Sequence, residues 1–139
     1  MNWLTISPLR SKKILFSWRH FVVAVSLGLA CSPAIIPQQA ITHNTFCAQY
    51  YAEEKLVEAE QRCKLSIEYS PRYAQPWNNL GLIAYARKNY EEAVDFFKKA
   101  IAYQSDFAEA YNNLGAIFLR DRNFSVACDQ FHQALEIDP

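Results

Sequence analysis

The chain has 139 residues, about half of them hydrophobic, with 14 basic and 14 acidic side chains and a formal charge of zero. That is enough apolar material for one modest core. Arg10, Lys12, Lys13 and Arg19 are the only charged side chains before residue 31, so the remainder holds ten bases against 14 acids. A mildly acidic remainder with no basic stripe argues against nucleic acid as the main partner, because phosphate recognition needs clustered Lys and Arg.

Residues 1–30 follow the pattern of an exported protein. The basic stretch ends at Arg19-His20, and the run from Phe21 to Ala30 (FVVAVSLGLA) is apolar and uncharged. Such a run is too short to span a bilayer as a helix, which takes about 20 residues. A basic flank, a short apolar stretch and small residues at its end predict a secretory signal peptide. The sequence Leu27-Gly28-Leu29-Ala30-Cys31 resembles the lipobox of bacterial lipoproteins, in which a small residue precedes a cysteine that is lipidated and becomes the N-terminus. Ala30 and Cys31 fit; Gly28 and Leu29 depart from the usual order, and Gly28 with Ala30 also suits ordinary signal peptidase. The resemblance implies lipidation at Cys31. With Ser32 rather than Asp following, it implies an outer-membrane destination facing the periplasm. A diacylated cysteine would anchor stably, each buried methylene adding about 0.8 kcal/mol. Residues 31–39, with Pro33 and Pro37, read as an extended tether.

The rest of the chain repeats itself. Ala74-Gln75-Pro76-Trp77-Asn78-Asn79-Leu80-Gly81 returns as Ala108-Glu109-Ala110-Tyr111-Asn112-Asn113-Leu114-Gly115, an offset of 34 residues. The same offset carries Ile83 to Ile117, Asn89 to Asn123, Ala93 to Ala127, Phe97 to Phe131 and Ala100 to Ala134. A weaker copy precedes them, with Cys47 where Gly81 stands, Phe46 at Leu80, Ala59 at Ala93 and Cys63 at Phe97. The units are residues 40–73, 74–107 and 108–139. Within each, apolar residues recur at three- and four-residue spacing in two stretches, predicting a pair of helices. Asn89 and Asn123 are expected to end the first helix, because Asn tolerates the left-handed conformation there. Gly81 and Ala93 let paired helices approach closely, and Pro71 and Pro139 stop the second helix.

Trp77-x-x-Leu80-Gly81 followed by Ala93-x-x-x-Phe97, and Leu114-Gly115 followed by Ala127-x-x-x-Phe131 and Pro139, resemble the tetratricopeptide signature. Residues 40–139 carry the resemblance; the first unit is degenerate, with His43 at the aromatic position and Cys47 at the glycine. It implies an all-α fold: a right-handed α-solenoid of three hairpins, preceded by the signal or anchor segment. The first helix of each unit would line a concave groove that binds an extended peptide or helix of another protein. The groove residues so implied are Asn44 and Tyr51; Gln75, Asn78, Asn79, Leu82 and Tyr85; and Glu109, Asn112, Asn113, Leu119 and Arg120. Their amides would pair with peptide backbone, and Leu82, Tyr85 and Leu119 would make apolar contacts. Of the carboxylate-clamp positions of the chaperone-binding branch, which here hold Asn44, Ala48, Asn79, Glu109 and Asn113, only Asn79 matches and Glu109 has the wrong sign, which argues against a co-chaperone function.

Catalytic chemistry finds no foothold. His20, His43 and His132 are scattered and form no metal set. The three glycines form no phosphate-cradling loop, and no cofactor or small-molecule substrate is expected. Glu53-Glu54 and Glu91-Glu92 lie near helix starts, where they complement the helix dipole. Cys47 and Cys63 fall on facing sides of paired helices in the first unit. In an oxidising compartment they are candidates for a disulfide, against the alternative of two buried thiols.

The expected function is therefore a non-catalytic envelope lipoprotein that binds a partner protein. A lipobox-like leader followed by a solenoid resembles the pilotins that assist type IV pilus secretins. The alternatives are an inner-membrane-anchored cytoplasmic adaptor and the repeat region of a longer envelope enzyme. The third unit ends at Pro139 without a polar-faced capping helix. That suggests further repeats in a longer chain, or a face that docks on a partner or a second copy.

Overall fold

The computed structural model describes residues 35–139, so the expected signal peptide and Cys31 lie outside the described residues. The described residues form six helices and no strand. They are α1 (Gln38–Ala52), α2 (Leu56–Tyr69), α3 (Ala74–Ala86), α4 (Tyr90–Tyr103), α5 (Ala108–Arg120) and α6 (Phe124–Ile137). The second helices begin at 56, 90 and 124 and end at 69, 103 and 137, so the 34-residue register of the sequence is also that of the backbone. None of the described helices is long and apolar enough to cross a membrane.

Helix α1 starts two residues before the expected unit boundary, at Gln38. Pro37 is its N-cap, at φ −57°. Proline fits there because the first turn of a helix has no internal acceptor for the missing N–H. The same reason admits Pro76 inside the first turn of α3, where its ring is buried.

The turns between paired helices correct one expectation. Asn89 and Asn123 do not take the left-handed conformation; they precede α4 and α6 at φ −86° and −85°. Positive φ falls one residue earlier, on Lys88 (64°) and Arg122 (60°), and on Glu54 (58°) in the first unit. The hydrogen bonds explain the shift. Lys88 N–H donates to Tyr85 O and Asn89 N–H donates to Ala84 O, both at 2.9 Å. This double closure of a helix end requires the residue just past the cap to be left-handed. The asparagine then serves as first residue of the next helix entry, with its carbonyl accepting from Ala93 N–H at 3.0 Å.

Each hairpin packs most closely on itself, and hairpins stack through α2 on α3 and α4 on α5. The buried core follows the stack. One cluster joins Cys47, Ala59 and Cys63 of the first unit to Leu80 and Ile83 of the second. The next joins Ala84, Ala93 and Phe97 to Leu114 and Ile117 of the third. A single hairpin therefore cannot bury its own apolar face, and each unit's stability depends on its neighbour.

The pair Gly81 and Phe97 recurs as Gly115 and Phe131, ring against backbone. In the first unit the same two places hold Cys47 and Cys63, whose sulfurs are bonded, with Cα atoms 5.2 Å apart. Cross-linking residues 16 apart constrains the unfolded chain by about 3 kcal/mol. It does so in the unit that has the poorest repeat sequence.

Candidate functional site: the inner helices

Helices α1, α3 and α5 form the inner layer. Side-chain bonds tie α1 to α3 and α3 to α5, and α1 also packs directly on α3. First helices lying closer together than second helices curve the stack with the first helices inside. The concave surface they present carries the residues that the tetratricopeptide resemblance implied, but the residues divide into two groups.

The first group is structural. Asn79 Nδ2 donates to Asn44 Oδ1 at 2.9 Å, and Asn113 Nδ2 donates to Asn78 Oδ1 at 3.0 Å. Asn78 Nδ2 donates in turn to Glu109 Oε1 at 2.9 Å. Asn44 also bonds the hydroxyl of Tyr73, whose pKa burial raises despite that bond. Asn78 is only 2% exposed. These amides, which the resemblance implies as contacts for peptide backbone, bond one repeat to the next, and Asn78 is fully occupied in doing so. The arrangement has a simple cause. The fifth residue of one unit faces the sixth of the following one, and a buried amide must find a partner. The fifth residue of the third unit, Asn112, is exposed.

The second group faces solvent. Gln75 and Glu109 stand at the starts of α3 and α5, with Tyr85, Leu119 and Arg120 at their ends, all exposed. Tyr51 and Leu82 are half-buried beside them. The Tyr85 ring meets Tyr90 edge-on with centroids 5.4 Å apart. Arg120 lies over the other aromatic surface, its guanidinium carbon 3.3 Å from the Tyr90 centroid, and pairs with Asp121. Arg120 is the one cation at the implied positions, and it is engaged by Tyr90 and Asp121. The rest of the exposed groove is Gln75, Glu109, Asn112 and apolar or aromatic side chains.

Shallow clefts repeat where successive turns stack. One of about 520 Å3 is lined by Tyr51, Ala52, Glu54, Leu56 and Ala86. Another, about 590 Å3, is lined by residues at the same register one unit on, including Lys88, Tyr90 and Arg120. Sequence reading missed these because their walls come from turn residues of different units. Among the described residues no group of His, Cys, Asp or Glu could hold a metal ion.

Family models described as TPR repeat and Tetratricopeptide repeat match residues 81–121 and 108–139. No curated protein sequence matches the chain. Solved structures with the same fold include MamA, at TM-score 0.66 and 20% identity, covering 72% of this chain and 58% of that one. The chain thus spans less than two thirds of MamA's length. The second TPR of Spaghetti (RPAP3), bound to the HSP90 peptide SRMEEVD, superposes at TM-score 0.67 and 21% identity, over 73% of this chain and 94% of that one. The TPR2B domain of yeast Sti1, in a complex with pHsp70, gives 0.68 and 18%, over 73% and 82%.

Proposed function

We propose that this chain, whose residues 81–139 match tetratricopeptide-repeat models, is a protein-binding scaffold that holds a largely uncharged segment of its partner against α1, α3 and α5. The carrying observation is the groove's chemistry. Tyr51, Leu82, Tyr85 and Leu119 supply apolar surface, while Arg120 is engaged by Tyr90 and Asp121. The peptide SRMEEVD held by Spaghetti ends in acids, and this groove lacks free cations to receive them. An apolar or aromatic segment, extended or helical, suits it better.

The scaffold is a lipoprotein anchored through Cys31 and facing the periplasm, where it assists assembly of an envelope partner such as a pilus secretin. The lipobox-like leader supports this reading, and so does the Cys47–Cys63 bond, since such bonds persist in oxidising compartments.

Site-specific photo-crosslinking in cells tests the groove. A crosslinker replacing Leu82 or Leu119 should give one discrete adduct, and one replacing the exposed Val57 of α2 should give none. Adducts from Val57 alone would refute it. Palmitate labelling tests the anchor separately: equal incorporation in wild type and Cys31→Ser would remove the lipid from the account.

A further inference from the structure

The first hairpin lacks the ring that closes the other two. In the second and third units Phe97 and Phe131 lie against Gly81 and Gly115, between the paired helices. Larger buried side chains reinforce them: Leu80 and Ile83 in the second unit, Leu114 and Ile117 in the third. The buried side chains of α1 and α2 are Ala40, Cys47, Ala59, Cys63 and Ser66, none larger than a cysteine. Tyr50, Tyr51, Leu56 and Ile67 pack around them only partly buried. So little buried apolar area holds a helix pair weakly, because the stabilisation scales with the area removed from water. The bond between Cys47 and Cys63, both fully buried, stands where the ring would be. Two polar ties add to it: Ser66 Oγ donates to Ala40 O at 2.7 Å, and Asn79 Nδ2 to Asn44 Oδ1 at 2.9 Å.

We infer that oxidation of Cys47 and Cys63 completes the groove: while both are thiols, α1 leaves α2 and α3, and α3 and α5 alone line the concave face. Forming the bond takes two electrons and two protons from the pair, and a disulfide-bearing oxidant accepts them as it becomes a dithiol. The cross-link removes open conformations of the hairpin and so favours the closed one. Closure matters to the second unit as well, since Cys47, Ala59 and Cys63 share one cluster with Leu80 and Ile83. When α1 departs, Tyr51 leaves the groove and part of that cover is lost. A partner that meets the reduced chain finds an incomplete surface, and one that meets the oxidised chain finds all three inner helices. Closure of α1 rests on the bond and its packing, and not on what the groove binds.

Hydrogen exchange on the full chain in detergent, read by mass spectrometry of peptic fragments, tests this. One sample keeps the bond; the other is reduced with dithiothreitol in urea and refolded in the same reductant. Reduction should speed exchange in α1 by about a hundredfold, the factor that the constraint on the open chain supplies, and leave α5 and α6 unchanged. Cys47→Ala/Cys63→Ala should match the reduced sample and be indifferent to dithiothreitol. That variant separates loss of the bond from any action of the reductant on the exposed Cys128. Protection of α1 in the reduced sample or the variant equal to that of the oxidised protein would overturn the inference. So would loss of protection in all six helices on reduction, because the bond would then support the whole stack rather than one wall of the groove.

Discussion

The Phe97 ring occupies the space that a side chain on Gly81 would need. A Cβ built on Gly81 would lie 2.6 Å from Phe97 Cδ1, well inside contact distance, and Phe97 is buried against the next hairpin. Gly81→Ala should therefore force a core ring off its rotamer and cost about 1–3 kcal/mol. Gly115 meets Phe131 in the same way, with Cε1 at 2.6 Å, but Phe131 is only half-buried and can swing outward. There the gain in helix propensity, about 1 kcal/mol, offsets the displacement. Urea denaturation of the two variants should show Gly81→Ala clearly destabilised and Gly115→Ala close to wild type. Equal losses would mean that the third hairpin is as firmly covered as the second.

Asn78 and Asn112 occupy the same repeat position and should behave differently. Asn78→Ala removes a buried amide that bonds Glu109 and Asn113, and should cost about 1–3 kcal/mol. Asn112→Ala, at an exposed site, should change stability by less than about 0.5 kcal/mol. A double-mutant cycle between Asn78 and Asn113 should return a coupling of about 0.5 kcal/mol or more. Additive losses at that pair would dissolve the ladder.

That pair also shows how much was legible beforehand. The period of 34, the hairpins and the small residues were written in the sequence, because they arise from contacts that every unit repeats. Whether an asparagine looks into the groove or across to its neighbour depends on the rotation of one helix against the next, which periodicity does not encode. The left-handed residues were missed for a related reason. Glu54, Lys88 and Arg122 share no side-chain chemistry, and the backbone closure alone selects their position.

Those three positions should tolerate glycine with a gain. A left-handed residue with a Cβ costs about 1–2 kcal/mol. Glycine removes that cost and gives back about 0.5–1 kcal/mol through the freedom of the unfolded chain. Lys88→Gly should raise stability by about 0.5–1 kcal/mol, measured as a higher denaturation midpoint at constant slope. Asn89→Gly should not, because Asn89 already sits at ordinary negative φ. A gain at Asn89 and none at Lys88 would restore the asparagine as the breaker.

Glu60 links the first unit to the second and should make that junction sensitive to acid. Its carboxylate accepts from Lys64 at 2.6 Å and pairs with Arg87, which also donates to Leu56 O at 3.2 Å. The hydrogen bonds from Lys64 and Arg87 hold the Glu60 pKa below its ordinary value, against a smaller opposing effect of burial. With the folded pKa lowered, the unfolded chain binds the proton more readily, so the contribution is complete above the ordinary value of about 4.3 and disappears as pH falls through the lowered one. Partial exposure screens the pair, so Glu60→Gln should cost no more than about 1 kcal/mol at pH 7. A protonated Glu60 and the glutamine that replaces it in the variant are nearly equivalent in shape and charge. The melting curves of wild type and Glu60→Gln should therefore differ at pH 7 and converge as the pH falls through the lowered pKa, and a difference that persists in acid would assign the effect to packing rather than charge.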